Sequence, residues 1–90
     1  MDIAIKPNSL YVSIFPPTYK GVLGYNGYVR SFSSANEVGP FDILPQHENL
    51  VTVAQGGIVL VDELGKRLEF KIEKAVVDVS GNLVKVYVEY

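Results

Sequence analysis

The chain has one histidine, His47, which lies near two carboxylates, Asp42 and Glu48. Zinc sites usually need three or four convergent His, Cys or carboxylate ligands, and the chain has no cysteine. A serine triad would need His47 beside an activated serine, but no Gly-x-Ser-x-Gly motif occurs. The residues therefore predict neither a metal site nor a catalytic centre. We expect His47 to brace the turn after Pro45 by hydrogen bonds between its ring and the nearby backbone.

Two further patterns resemble chemical sites only superficially. Carboxylates that could pair for glycoside hydrolysis alternate with Lys and Arg, which is typical of a solvated sheet face. They are Glu63, Glu69, Glu73 and Asp78. Gly56-Gly57 has neither the lysine nor the following helix of a phosphate-binding loop, so we interpret it as a turn. We expect a non-catalytic protein without a cofactor.

The composition indicates one small folded domain over residues 1–90. Apolar residues make up 48% of the chain, which is too apolar for disorder, and eight glycines and five prolines interrupt it too often for a helical bundle. The formal charge of -2, with neither sign gathered into a block, argues against nucleic-acid binding. Apolar runs are far shorter than the roughly 20 residues that span a bilayer. We expect a soluble, cytoplasmic chain.

Strand patterns recur along the chain and are separated by Gly, Pro, Asn and Ser, as in all-β sandwiches and barrels. The predicted strands cover residues 2–6, 10–15, 19–23, 28–33, 50–54, 58–62, 67–73, 75–79 and 83–90. Between them, residues 35–46 form an irregular region. Residues 67–73 alternate strictly between charged and apolar side chains, which predicts a half-buried antiparallel strand. Because Leu64-Gly65-Lys66 supplies a turn before it, strands 58–62 and 67–73 should pair.

Three further short segments are predicted to be turns. Asn26-Gly27 should make a tight hairpin turn between strands 19–23 and 28–33. Gly56-Gly57 should separate strands 50–54 and 58–62. The segment Ser80-Gly81-Asn82 should join the last two strands in a hairpin, with Val84, Val86 and Val88 facing inward.

The segment from Gly39 to Val51 resembles one protein family. It carries, in order, Gly39, Phe41, Ile43, Leu44, Pro45 and His47, followed by an apolar strand over residues 50–53 and then Gly57. This order is similar to the N-terminal sandwich domain of the F-type ATP synthase epsilon subunit. The resemblance extends from Leu10 to Tyr90. Its departures include Glu73-Lys74-Ala75 where the family usually has Ser-Gly-Gly, Pro40 at an often acidic position, and a stretch from Pro16 to Asn26 that is longer than usual.

The resemblance implies a fold and a role. The fold is a two-sheet antiparallel β-sandwich of about 8–10 short strands, without the two C-terminal helices of many epsilon subunits. The role is that of a rotor subunit in the central stalk, bound to the gamma subunit and the c-ring at the inner face of the cell membrane. Homo-oligomers and direct membrane insertion are not expected.

Within this resemblance, we expect the loop from Glu37 to Glu48 to meet the gamma subunit or the c-ring. Its prolines would hold the loop in one shape before docking. The expected interface residues are Glu37, Pro40, Asp42, Gln46, His47 and Glu48. At least two of Phe41, Ile43 and Leu44 should instead fill the core.

A second hypothesis is a free-standing β-sandwich that binds a peptide or a carbohydrate. Its surface would be made by Tyr19, Tyr25, Tyr28, Tyr87 and Tyr90. Exposed aromatic clusters often mark such sites. Tyrosines gathered in one groove would favour this hypothesis over the rotor subunit.

Overall fold

A computed structural model of the chain describes residues 8–16 and 24–89. Those residues form strands, turns and irregular segments, with no helix among them. The strands are β1 (Leu10–Phe15), β2 (Tyr25–Asn36), β3 (Gly39–Ile43), β4 (Leu50–Asp62), β5 (Arg67–Phe70), β6 (Lys74–Ser80) and β7 (Leu83–Glu89). The predicted strands 2–6 and 19–23 lie outside the described residues.

The strands form one continuous ladder in the order β3-β2-β1-β7-β6-β4-β5. An additional pairing between β2 and β4 closes this ladder on itself, so that two packed layers enclose a single core. Every described pairing is antiparallel except the one between β1 and β7, which is parallel. The prediction of an all-β sandwich is confirmed, with this parallel pair as a difference from the expected antiparallel arrangement.

The long strands β2 and β4 each belong to both layers. The first half of β2 pairs with β1 and its second half with β3, while β4 pairs first with β6 and then with β5. Two register shifts mark the bends between β2 and β4, and Gly56 bends β4 at a φ of 91°. A left-handed φ is accessible to glycine at little cost. The predicted turn at Gly56-Gly57 is therefore wrong, because these residues bend one strand without ending it.

The predicted hairpin turn at Asn26-Gly27 is also wrong. Both residues lie inside β2, where Asn26 is opposite Ser13 and Gly27 is opposite Val12. Pairing with β1 gives the backbone of these two residues hydrogen-bond partners, so the chain continues as a strand instead of turning. The Tyr25 ring lies over Gly27, since a Cβ added there would meet the Tyr25 hydroxyl at 3.0 Å. The glycine thus makes room for an aromatic ring on the inner face.

The core follows the alternation that the sequence predicted for the last strands. Ala75, Val77, Val79, Val84 and Val86 are buried on the inner faces of β6 and β7. Strand β5 pairs with β4 as predicted, although it ends at Phe70. Its apolar residues pack against the core, and its charged residues are exposed.

Candidate partner-binding strip

The region predicted to be an irregular loop is a β-hairpin followed by a turn, so the expectation of irregular structure over residues 35–46 is wrong. Strand β2 runs to Asn36, and β3 returns from Gly39. The Asn36 side-chain oxygen accepts hydrogen bonds from the backbone N–H groups of Val38 and Gly39, at 2.9 and 3.3 Å. These bonds close the hairpin tip and leave Glu37 and Val38 exposed, with Val38 96% exposed.

Strand β3 separates core residues from surface residues by its alternation. Ile43 is fully buried and Phe41 packs against the core, as predicted for at least two of the three apolar residues, while Leu44 is 55% exposed. Pro40 and Asp42 point outward, and the Ser33 hydroxyl donates a hydrogen bond of 2.5 Å to Asp42. Because β3 is an edge strand, a proline there removes no hydrogen bond from the middle of the sheet.

Residues 44–49 form a tight turn after β3. The His47 N–H donates to the Leu44 carbonyl at 3.1 Å, with Pro45 at the first central position and Gln46 at the second. Gln46 has a φ of 67°, as the second central residue of a type II turn requires. The Nδ1–H of His47 donates to the Glu48 carbonyl at 2.7 Å. The predicted bracing role of His47 is thus confirmed.

Two asparagines connect this turn to the β6–β7 turn, and we call the pair Asn49 and Asn82 the asparagine clamp. The Gln46 N–H donates to Asn82 Oδ1 at 2.6 Å, and the Gly81 N–H donates to Asn49 Oδ1 at 2.9 Å. The Asn82 carbonyl also accepts the Tyr11 N–H at 2.8 Å. Sequence reasoning missed this clamp, because it identified Asn82 only as a turn residue.

The six residues predicted to form the interface lie along one edge of the molecule, and we call them the β3 strip. The strip consists of Glu37, Pro40, Asp42, Gln46, His47 and Glu48. All are exposed except His47, which is partly buried. Five residues at about 3.3 Å each put the two ends of β3 roughly 15 Å apart. The structure therefore aligns these residues in an extended strip, and Glu37 lies at the opposite end from His47.

The strip is acidic. Its carboxylates are Glu37, Asp42 and Glu48, and no Lys or Arg occurs between Arg30 and Lys66. The near-neutral total thus conceals a long segment without lysine or arginine, although its carboxylates are not gathered into a block. A count of charge by segment would have found it.

The described residues contain no group of three or more His, Cys, Asp or Glu side chains that could hold a metal ion. They also contain no helix long and apolar enough to cross a membrane. In the strip, Asp42 is engaged by Ser33 and the His47 ring by backbone. The chemistry available at the strip is therefore hydrogen bonding and charge complementarity.

Tyr25, Tyr28 and Tyr87 make separate ring contacts and do not touch one another. The Tyr25 ring packs against Phe70, Tyr28 against Tyr11, and Tyr87 is stacked on Phe15. Two open depressions of about 370 and 330 Å³ have no tyrosine among their lining residues. Tyr19 and Tyr90 lie outside the described residues. The arrangement of Tyr25, Tyr28 and Tyr87 thus gives the peptide- or carbohydrate-binding hypothesis no support.

Comparison with known proteins gives a sequence relative and solved structures of similar fold, two of which are described below. Over 73 residues, which are 80% of its length, the chain is 34% identical to the ATP synthase epsilon chain of Sulfurimonas denitrificans. It spans 55% of the length of that relative. No protein-family model matches the chain.

The two solved structures are mitochondrial ATP synthase assemblies. One is the OSCP/F1/c-ring assembly of Euglena gracilis, with a TM-score of 0.80 at 15% identity, covering 94% of this chain and 53% of the matched chain. The other is the central stalk and c-ring of Tetrahymena thermophila, with a TM-score of 0.68 at 13% identity, covering 96% and 67%. These identities are low enough that the matches concern the fold. With the sequence relative, they confirm the resemblance: the chain fits the N-terminal domain of an ATP synthase epsilon chain.

Proposed function

We propose that this epsilon-like chain is a non-catalytic rotor element of the central stalk of an F-type ATP synthase. It would couple rotation of the c-ring to ATP synthesis through contacts with the c-ring and the gamma subunit. The observation that carries the proposal is the 34% identity to an ATP synthase epsilon chain over 80% of the residues. The low-identity structures support it through the fold alone.

The architecture suits a part that transmits torque. Among the described strands, β3 and β5 lie at the ends of the closed ladder, and β2 pairs with β4 to tie the two layers together. Close-packed protein interiors have low compressibility and transmit strain. A stiff sandwich therefore moves with its partner as one body, and no chemistry is required of its side chains.

The β3 strip is the contact that we propose for the c-ring or the gamma subunit. The three carboxylates have no basic residue in the sequence around them, so the strip fits a partner surface with an excess of Lys or Arg. Complementary charge at an exposed rim affects encounter and orientation and is screened by salt. Binding should therefore weaken as the ionic strength rises.

The test neutralises the strip without changing its shape. The variant Glu37→Gln, Asp42→Asn and Glu48→Gln keeps one side-chain acceptor oxygen at each position, which at residue 42 can still accept from Ser33. The matched control is Glu69→Gln, Glu73→Gln and Glu89→Gln, which removes the same charge from exposed positions outside the strip. The gamma subunit and the c-ring of the same synthase are each captured on beads carrying the purified chain.

We expect the strip variant to capture at least one of the two partners about tenfold more weakly, which corresponds to about 1.4 kcal/mol. The control should retain capture. Equal capture by both variants would remove the strip from the interface. If the unaltered chain captured neither partner, the rotor role itself would be rejected.

A further inference from the structure

Gln46 has a backbone conformation that its own side chain does not favour. Among the described residues it is the one non-glycine residue with a positive φ. For residues with a Cβ, the left-handed region is unfavourable because the Cβ approaches the following carbonyl oxygen. Such a conformation persists only where the surroundings determine it. The question is therefore which contact holds Gln46 at a φ of 67°.

Asn82 supplies a contact of the right geometry from 36 residues away. Its Oδ1 accepts the Gln46 N–H at 2.6 Å, and Asn82 is only 8% exposed. Its own carbonyl is held by the Tyr11 N–H, so the residue is fixed to the central strand β1. A buried, fixed acceptor can orient the peptide unit that precedes Gln46.

Asn49 makes the reciprocal contact at the other end of the same turn. Its Oδ1 accepts the Gly81 N–H, so each turn donates a backbone N–H to an asparagine of the other. Neither bond belongs to the ladder of the sheet. These bonds therefore fix the position of one turn relative to the other.

We propose that the asparagine clamp is a positioning device that holds residues 44–49 in the shape that presents Gln46, His47 and Glu48 to the partner. This inference rests on the proposed function, because it takes the β3 strip as the contact. Ordering a loop before binding removes an entropic cost from association. Asn82 and Asn49 act through the backbone of the turn, while the residues that touch the partner belong to the strip.

The His47 N–H is a suitable reporter of the clamp. It donates to the Leu44 carbonyl inside the turn and has no bond to either asparagine. Its exchange with solvent deuterium, followed by NMR, therefore accelerates only if the turn itself opens. The variants are Asn82→Ala, Asn82→Asp, Asn49→Ala and the double variant Asn82→Ala with Gln46→Gly. The control is Asn36→Ala, which releases the hairpin tip at the opposite end of β3.

We expect Asn82→Ala to accelerate exchange of the His47 amide about tenfold relative to the core amides of Val77 and Val86, as loss of a buried hydrogen bond predicts. Asn49→Ala should accelerate it less, and Asn36→Ala should leave it unchanged. Asn82→Asp keeps the acceptor and should preserve protection. The double variant should restore protection to within about threefold, because glycine adopts the left-handed φ without a clamp.

Unchanged exchange in Asn82→Ala, or no rescue by Gln46→Gly, would overturn the clamp. If Asn82→Ala does not fold, the double variant decides, and its failure to fold would also overturn it. Capture of the gamma subunit and the c-ring is then measured with Asn82→Ala and Asn82→Asp, which leave every residue of the strip unchanged, and we expect loss in Asn82→Ala and retention in Asn82→Asp. If Asn82→Ala accelerates exchange of the His47 amide but capture is unchanged, the strip is rejected as the contact, while the clamp stands.

Discussion

The two turns at residues 62–66 and 44–49 both connect strands that are consecutive in the chain, yet they are held in different ways. In the first turn, Asp62 Oδ1 accepts the N–H groups of Leu64 and Lys66 at 2.9 and 2.8 Å, and Gly65 takes the positive φ. In the second turn, a glutamine takes the positive φ, and its N–H is bound by a residue 36 positions away. The first turn is built from its own five residues, whereas the second depends on the tertiary fold.

This difference has a consequence for dynamics. A turn closed by local bonds can form as soon as its two strands pair, while Gln46 and Asn49 acquire their bonds to Asn82 and Gly81 only when the β6–β7 turn is in place. Segments with few local bonds are the first to open in a native protein. The proposed partner contact is therefore made from a segment whose order is supplied by the rest of the molecule.

The largest effect on stability is expected from removing a long-range contact that supports β3, the strand that leads into residues 44–49. Phe32 is fully buried, lies opposite both Ile43 and Leu60, and stacks with Phe41 at a ring distance of 6.5 Å. We expect Phe32→Ala to lower the free energy of unfolding by about 3–5 kcal/mol, measured by urea denaturation, because truncation leaves a cavity.

The control for this variant is Leu64→Ala, at the exposed tip of the local turn, where the side chain is 93% exposed. Its free energy of unfolding should stay within about 0.5 kcal/mol of the unaltered protein. If Phe32→Ala lowers the free energy of unfolding by less than about 1 kcal/mol, neighbouring side chains fill the cavity, and the packing of Phe32 against β3 is not what stabilises this region.

A smaller effect is expected from the local turn itself. Asp62→Ala removes the acceptor of two backbone N–H groups and should lower the free energy of unfolding by about 1–2 kcal/mol. Exchange of the Gly65 amide, which donates to the Asp62 carbonyl, should accelerate more than exchange of the His47 amide. Asp62→Asn keeps an acceptor at the same position and is the matched control. Equal acceleration at Gly65 and His47 would show that the two turns open together, contrary to the comparison.

The same distinction explains which features could be predicted from sequence. The β6–β7 hairpin and the exposed face of β5 follow from alternation within a few residues, and the structure has both. The segment from Gly39 to His47 was informative because its order of residues resembles one family. Its prediction as a loop was nevertheless wrong, since pairing of β3 with β2 overrides the local effect of Gly39 and Pro40.

The errors concern residues whose conformation is decided by distant partners. Asn26-Gly27 has the composition of a tight turn, but its backbone pairs with β1. Gly56 has the positive φ that is common in turns, but it lies inside a strand that changes layers. For Asn82, sequence spacing cannot show that its side chain reaches Gln46. Local patterns identify such residues, and only the packed structure shows their use.

The smallest predicted effect concerns Tyr25, which connects the local turn to the inner face of β2. The pKa of Tyr25 is raised from its ordinary value of 10.0, first by burial, then by the Asp62 carboxylate and by Tyr11. In the unfolded chain Tyr25 ionises near its ordinary pKa, while the folded chain keeps it neutral to a higher pH. Its contribution to stability is therefore fully present below the unfolded pKa and is lost as the pH rises through the folded pKa.

We expect the free energy of unfolding of Tyr25→Phe to fall less steeply than that of the unaltered protein between about pH 9 and pH 11. Asp62→Asn keeps the turn acceptor but removes the charge, so Tyr25 should titrate at a lower pH in that variant, as followed by the ultraviolet absorbance of tyrosinate. If the free energy of unfolding falls equally steeply with pH in Tyr25→Phe and in the unaltered protein, burial of the Tyr25 hydroxyl does not contribute to alkaline unfolding. An unchanged titration in Asp62→Asn would mean that the carboxylate of the local turn acts only on its own backbone. The turn would then be local in its electrostatics as well as in its hydrogen bonds, which would sharpen the contrast with residues 44–49.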